Sequence, residues 1–240
     1  MAMLRFKMPA SNNFKREQER IREKIWSFIQ AKDDMVLDVG VGQEAHSTKK
    51  LIDLGAKVIA IDIDWNNLSK HKGVNAKLVQ CDASQLPFKN SVFGLAVAYF
   101  TMHEINPDLH LNVFSELARV SKRVMLVEAA PSRDLICNQY QSLWTRAMHE
   151  LGKFEDLREL AYWKMLLERC DFRLTVKERI THREKIPPSE VNKFIRSSID
   201  AMEGYGISGG YIKEMRKLAK DMKQEGMRLA DVIVLVGEKS

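Results

Sequence analysis

The sequence contains few cysteines, and they form no pattern of a disulfide framework or a zinc site. Only three occur in 240 residues, Cys81, Cys137 and Cys170, so their number is odd and their spacing is wide. Stable disulfides belong mainly to oxidising compartments. The cysteines therefore predict a reducing, cytoplasmic setting.

Long apolar runs are also missing. The longest run, residues 93–102, has about half of the roughly 20 residues that a membrane-spanning helix needs. The N-terminal residues contain no apolar signal core. We therefore expect no membrane span.

The sequence also lacks a strong excess of charge and a metal-binding pattern. Lys and Arg number 38 against 32 Asp and Glu, which gives a net charge of +6. This mild excess falls short of the concentrated basic stripe of a typical nucleic-acid-binding protein, so nucleic acid is a partner that we do not favour. The six histidines are scattered along the chain, and we predict no metal site: His46, His71, His103, His110, His149 and His182.

Short apolar strands alternate with amphipathic helices over residues 35–130. Near-continuous apolar strands separated by helices indicate a parallel sheet covered on both faces. Two further strands are predicted at residues 172–180 and 230–239. The fold class is therefore α/β: a doubly wound, Rossmann-like, mostly parallel sheet of seven strands, with ligands at the carboxyl ends of the strands.

The pattern divides the chain into three parts. Residues 1–34 are predicted to form an N-terminal helical segment. Residues 35–180 and 229–240 are predicted to form the ligand-binding α/β domain. Residues 181–228 are predicted to form a helical insert before the last strand, and the glycine-rich sequence "EGYGISGG" between its two helices could let the insert move as a lid.

The stretch "VLDVGVGQEA", residues 36–45, predicts a turn in which a ligand approaches the backbone closely. Gly40, Gly42 and Ala45 match the dinucleotide-binding fingerprint, and Asp62 follows Gly42 at the expected distance. However, Asp38 stands two residues before the first glycine, where a dinucleotide site normally has an apolar strand residue. The turn alone leaves both a dinucleotide and an adenosyl cofactor open.

Four segments in register resemble the class I S-adenosylmethionine-dependent methyltransferases. They are "VLDVGVG", "VIAIDID", "LVQCDASQLPFKNSVFGLAVAYFTMHEI" and "LLERCDFRLTV". The resemblance covers about residues 35–172 and the last strand. The segment "CDASQLPF" is similar to the branch that methylates small molecules such as quinones and sterols.

This resemblance implies a cofactor, S-adenosyl-L-methionine, and a role for several residues. Gly40 and Gly42 would let the loop approach the methionyl and ribosyl parts without a Cβ in the way. Asp38 would face the amino end of the cofactor, and Asp62 would accept hydrogen bonds from both ribose hydroxyls. The remaining assigned residues would contact the adenine or the methionyl tail: Ile63, Asp82, Ala83 and Tyr99.

The resemblance implies methyl transfer by in-line displacement to a small organic acceptor, and it implies that residues 1–34 and the insert, residues 181–228, cover the substrate. His103, just past the fourth strand, is the candidate base for an acceptor that must lose a proton. Alternatively, His103 lines the substrate wall or caps the following helix. An RNA or protein methyltransferase that uses the basic helices as a platform is the alternative function, and an NAD-dependent oxidoreductase is less favoured.

Overall fold

The computed structural model describes residues 12–239, so residues 1–11 of the predicted N-terminal segment lie outside the described part. The chain divides into two compact units. One unit comprises residues 25–128, 159–179 and 233–239, and it carries the sheet. The other comprises residues 12–24, 129–158 and 180–232, and it is mainly helical.

The sheet has the seven strands that the sequence predicts, in the order β3-β2-β1-β4-β5-β7-β6. Their bounds are β1 Met35–Val39, β2 Lys57–Asp62, β3 Lys77–Gln80, β4 Leu95–Tyr99, β5 Arg123–Ala129, β6 Phe172–Ile180 and β7 Val232–Lys239. Four of the pairings, β1–β2, β1–β4, β2–β3 and β4–β5, are parallel. The sheet is mixed but mostly parallel, with helices on both sides, which confirms the predicted fold class.

The strand register brings the carboxyl ends of β1, β2 and β3 to one edge of the sheet. Asp38 pairs with Ala60, and Asp62 pairs with Gln80 two positions further along. The strand order changes direction between β1 and β4, where a doubly wound sheet opens a crevice for ligands. The predicted site residues therefore meet at this edge.

Helices connect the strands at the positions that the sequence indicates. They are α1 Asn12–Trp26, α2 His46–Asp53, α3 Trp65–Ser69, α4 His110–Val120, α5 Leu135–Glu150, α6 Leu160–Arg169, α7 Pro188–Gly204 and α8 Gly209–Glu225. The Asp64 side chain caps α3 by accepting from the Asn66 amide at 2.8 Å. Gly55 ends the α2 region with a φ of 84°, a left-handed conformation that glycine adopts without steric cost.

Buried polar groups join segments that are distant in sequence within the helical unit. Glu17 is buried, and its two carboxylate oxygens accept from the Arg183 and Glu184 amides, each at 2.9 Å. The hydroxyl groups of Tyr140 on α5 and Ser198 on α7 share a hydrogen bond of 3.0 Å. The predicted insert, residues 181–228, supplies α7 and α8, and its role as a substrate lid stays a prediction.

Among residues 12–239, no helix combines the length and the apolar character that crossing a membrane requires.

Candidate cofactor and active site

Asp38 is fully buried near the end of β1, in contact with the start of α2. Its Oδ2 atom accepts from the Ser47 hydroxyl at 3.0 Å and from the Thr48 hydroxyl at 2.5 Å. Its Oδ1 atom is buried and has no hydrogen-bond partner in the described part of the chain. A buried oxygen of this kind is costly unless a donor satisfies it, so Oδ1 is suited to receive a donor from a ligand.

Burial raises the pKa of Asp38 from 3.8 to about 7. Hydrogen bonds from Thr48 and Ser47 lower this pKa in part, and the nearby charge of Asp62 raises it further. The raised pKa means that folding favours the protonated form of Asp38. The contribution of protonated Asp38 to the free energy of unfolding is therefore fully present below about pH 4. That contribution is lost as the pH rises through about 7.

The turn after β1 takes a backbone shape that depends on its glycines. Gly40 has a φ of 81° and Gly42 a φ of 61°. A Cβ at Gly40 would lie 2.5 Å from both Cγ2 and Oγ1 of Thr101, which packs against the turn. Ala45, the N-cap residue of α2, also has a positive φ of 50°.

Asp62 at the end of β2 holds the glycine turn. Its Oδ2 atom accepts from the Gly42 amide at 3.0 Å and from the Asn67 side chain at 3.2 Å, and its Oδ1 atom accepts from the Asp64 amide at 2.9 Å. A carboxylate has about four acceptor positions, so these three bonds leave one position, on Oδ1, for a further donor. Asp62 therefore shapes the turn as well as offering an acceptor.

Large apolar side chains are exposed beside Asp62. Ile63 is 69% exposed and Trp65 is 51% exposed. Exposed apolar side chains that directly follow a strand end can provide a surface for a flat ring system. Ile63 is therefore accessible to a ligand at this edge of the sheet, and its role in cofactor binding stays a prediction.

Asp82 and Ala83 follow β3 on the same edge. The Asp82 Oδ1 atom accepts from the Ser84 amide at 2.7 Å, which fixes the direction of the carboxylate. Asp82 is exposed and Ala83 is buried. The carboxylate keeps acceptor capacity for an amino group from outside.

Tyr99 ends β4 in a group of aromatic rings. It stacks on Trp26 at the end of α1, with a centroid distance of 5.2 Å, and it meets Phe100 edge to face at 4.7 Å. Phe100 has a positive φ of 52°, which marks the sharp change of chain direction at the strand end. Trp26 was not predicted as a site residue, because its helical spacing indicates only a packed helix face.

His103 is fully buried in a short 3-10 turn, Met102–Glu104. Its Nδ1 atom lies 2.6 Å from Oε2 of Glu128, the sixth residue of β5. Its Nε2 atom lies 3.7 Å from a carboxylate oxygen of Glu104. The His103 ring is thus held by a buried carboxylate, and its role as the base stays a prediction.

Sequence reasoning missed Glu128, Thr101 and Asn67, all of which hold predicted site residues in place. Glu128 carried a readable signal: it is an acid inside the apolar strand "VMLVEAA", and a glutamate is almost never fully buried unless it is paired. Thr101 and Asn67 carried no such signal, since their contacts depend on the packing of distant segments.

These residues fit S-adenosylmethionine. That cofactor carries an ammonium group, two ribose hydroxyls and an adenine amino group, and every one of these is a hydrogen-bond donor. The site offers acceptors at the ends of three adjacent strands, from Asp38, Asp62 and Asp82, around a glycine turn. The buried Oδ1 of Asp38 matches the ammonium in charge and in hydrogen-bonding sense.

Comparisons with known proteins agree with this geometry. Residues 37–124 match the family model described as Methyltransferase domain. No curated protein sequence matches this chain.

Similar solved structures share the fold. A methyltransferase candidate of Bacillus halodurans has a TM-score of 0.65 and 16% identity, with 90% of this chain and 97% of that chain covered. An S-adenosylmethionine-dependent methyltransferase of Methanosarcina mazei has a TM-score of 0.56 and 16% identity over 90% of this chain and 97% of that one. The phosphoethanolamine N-methyltransferase 2 of Haemonchus contortus was solved with phosphomonomethylethanolamine and S-adenosylhomocysteine. It has a TM-score of 0.58 and 14% identity, with 92% of this chain and 52% of that chain covered.

The matched domain includes β1, the glycine turn, β2, β3 and β4, and thus the segments that carry Asp38, Asp62 and Asp82. The chain therefore contains a methyltransferase domain and has the Rossmann-like fold of S-adenosylmethionine-dependent methyltransferases.

We expect Asp38→Asn to weaken S-adenosylmethionine binding at pH 8 by about 10- to 100-fold. A charged acceptor contributes roughly 1.5–3 kcal/mol to a hydrogen bond, and the variant has no charge at this position. In the natural protein the affinity should fall as the pH drops below about 7, because the protonated Asp38 no longer attracts an ammonium group. Calorimetric titration at pH 6 and pH 8 measures both effects.

Asp53→Asn is the matched control, since it removes the same charge from an exposed position at the end of α2. The affinity of Asp53→Asn for S-adenosylmethionine should equal that of the natural protein at both pH values. An affinity of the natural protein that does not change between pH 6 and pH 8 would contradict the assigned role of Asp38.

Proposed function

We propose that this enzyme transfers the methyl group of S-adenosylmethionine to a small organic acceptor. The observation that carries this proposal is the set of strand-end carboxylates, Asp38, Asp62 and Asp82, around a turn that Gly40 keeps free of side chains. A narrower proposal, an acceptor similar to a quinone or a sterol, is supported only by the resemblance of "CDASQLPF" to that branch.

The proposed roles of the cofactor-binding residues follow from their contacts. When bound, S-adenosylmethionine supplies an activated methyl group on a sulfonium that is an excellent leaving group. Asp38 would hold the amino end, Asp62 the ribose, and Asp82 with Ile63 the adenine. Because the leaving group is already good, the protein mainly orients the reactants, and orientation can supply roughly 7–11 kcal/mol of a barrier.

His103 is the proposed base for an acceptor that loses a proton. Its ring has no exposed surface, so an acceptor must reach it directly or deliver the proton through a neighbouring group. Glu104 is such a neighbour: its side chain is 44% exposed, and its carboxylate lies 3.7 Å from His103 Nε2. The Glu104 carboxylate would stabilise the imidazolium that forms when the His103 ring takes up a proton.

A small acceptor is favoured over RNA or protein, although one observation supports the alternative. Helix α8 exposes five cationic side chains along one side: Lys213, Arg216, Lys217, Lys220 and Lys223. The same helix also carries Glu214, Asp221 and Glu225, which reduce its net charge. The relative from Haemonchus contortus was solved with a small phosphorylated amine, which is in keeping with a small acceptor on this fold.

The proposal is tested by the thermal stability of the protein with different ligands. A ligand at 100 times its dissociation constant adds about 2.7 kcal/mol to the free energy of unfolding. For a chain of this size that raises the melting temperature by about 5–11 °C. We expect this increase with S-adenosylmethionine and with S-adenosylhomocysteine, and none with NADH as the matched control ligand.

A shift with NADH alone would contradict the proposal. If the adenosyl ligands bind and the protein also binds RNA with a steep dependence on salt, the macromolecular alternative replaces the small acceptor.

A further inference from the structure

Glu128 is a fully buried carboxylate that binds three consecutive residues of another segment. Its Oε1 atom accepts from the Thr101 amide at 2.9 Å and from the Met102 amide at 2.7 Å. Its Oε2 atom lies 2.6 Å from Nδ1 of His103. A buried carboxylate is stable only when donors satisfy it, and here both oxygens are engaged by the turn that follows β4.

These contacts determine which nitrogen of His103 carries a proton. The Thr101 and Met102 amides are obligatory donors, so Oε1 faces them and Oε2 faces the imidazole. An ionised carboxylate can only accept hydrogen bonds. With Glu128 ionised, Nδ1 of His103 is the protonated nitrogen and donates to Glu128, which leaves proton uptake to the other nitrogen, Nε2.

The same turn is held at its other end and is joined to the glycine turn. His110, also buried, contacts the carbonyl oxygens of Met102 at 2.9 Å and Ile105 at 3.1 Å through Nε2. The Thr101 hydroxyl donates to the Val39 carbonyl oxygen at 2.9 Å, directly before Gly40. Glu128 thus connects the position of His103 with the shape of the cofactor turn.

We propose that Glu128 is a positioning residue of the methyl-transfer reaction, which orients His103 and fixes its proton on Nδ1. This inference rests on the proposed function. In the reaction a proton leaves the acceptor and forms a bond with Nε2 of His103. The electron pair that the proton leaves behind forms the bond to the methyl carbon, and the pair of the broken carbon–sulfur bond returns to sulfur.

The test is nitrogen NMR of the histidine side chains in the ligand-free protein, which distinguishes protonated from unprotonated Nδ1. His103 is assigned by the signal that disappears in His103→Gln. We expect a protonated Nδ1 in the natural protein. In Glu128→Gln the amide oxygen must keep facing the Thr101 and Met102 amides, so the amide nitrogen donates to His103 and Nδ1 becomes unprotonated.

Glu17→Gln is the matched control. Glu17 is also buried and also accepts from two backbone amides, those of Arg183 and Glu184, and the imidazole whose pKa its charge raises is that of His182, not that of His103. It should leave the His103 signal unchanged even if it lowers the thermal stability.

Kinetics provide the second measurement. Removing a partner that orients a metal-bound histidine typically lowers activity about 10- to 100-fold, and we expect a similar loss for a partner that orients a histidine base. We expect the rate of methyl transfer to an acceptor that the natural protein methylates to fall by this factor in Glu128→Gln. The dissociation constant for S-adenosylmethionine should change less than about threefold, because the two backbone hydrogen bonds remain.

An unprotonated Nδ1 in the natural protein would overturn the inference without any variant. A protonated Nδ1 that persists in folded Glu128→Gln would also overturn it. Failure of the proposed function has a different signature, since the thermal shift with adenosyl ligands would then be absent whatever the NMR spectrum shows.

Discussion

Gly40→Ala should lower the affinity for S-adenosylmethionine at least 100-fold and destabilise the protein by about 2–5 kcal/mol. The left-handed conformation at Gly40, φ 81°, costs an alanine roughly 1–2 kcal/mol. In addition, the new Cβ would lie 2.5 Å from two atoms of Thr101, and such overpacking typically costs about 1–3 kcal/mol. The turn must move to relieve the contact, and it then no longer presents its backbone to the cofactor. Calorimetric titration and denaturant unfolding measure the two effects.

A second substitution separates the steric effect from the conformational one. Thr101→Ala removes both Cγ2 and Oγ1, so the double variant Gly40→Ala with Thr101→Ala should regain part of the lost stability but not the part due to φ. Gly73→Ala is the control, because no heavy atom lies within 4 Å of the added Cβ. If Gly40→Ala binds the cofactor as tightly as Gly73→Ala does, the turn is not the binding element.

Asp62→Ala should weaken S-adenosylmethionine binding by two orders of magnitude or more. The variant loses the acceptor proposed for the ribose, and a charged acceptor contributes roughly 1.5–3 kcal/mol per bond. It also loses the three bonds from Gly42, Asn67 and Asp64 that hold the turn in shape. The dissociation constant from calorimetric titration measures the loss.

The neighbouring Asp64 provides a matched control. Asp64→Ala removes a carboxylate two residues away that only caps α3, so it should cost about 1 kcal/mol of stability and leave the cofactor affinity nearly unchanged. Equal losses of affinity in the two variants would mean that the loop as a whole, and not the Asp62 carboxylate, determines binding.

Much of the fold could be predicted because its signals are local. Each of the seven predicted strands is present. A buried strand is recognised by a short apolar run, and the helices between the strands are recognised by apolar residues three and four positions apart. Strand ends have a weaker local signal: the apolar run "VFGLAVAYF" begins at Val92, whereas β4 begins at Leu95. Phe93 instead forms an isolated bridge with Ser121.

The candidate site was predicted only in part. Asp38, Asp62 and Asp82 end or follow strands, so their meeting at one edge follows from a parallel sheet. Neither the raised pKa of Asp38 nor the contact of His103 with Glu128 has a signal in the neighbouring residues. Both depend on burial and on partners supplied by other elements.

The sequence by itself determined the elements and the identity of the acids and glycines, because strand, helix and turn preferences act over a few residues. Only the tertiary structure decided the sheet order, the contact of Thr101 with Gly40 and the pairing of Glu128 with His103. These residues lie 61 and 25 positions apart in the chain. They meet because parallel β1, β4 and β5 lie side by side in the sheet, an arrangement that no local preference encodes.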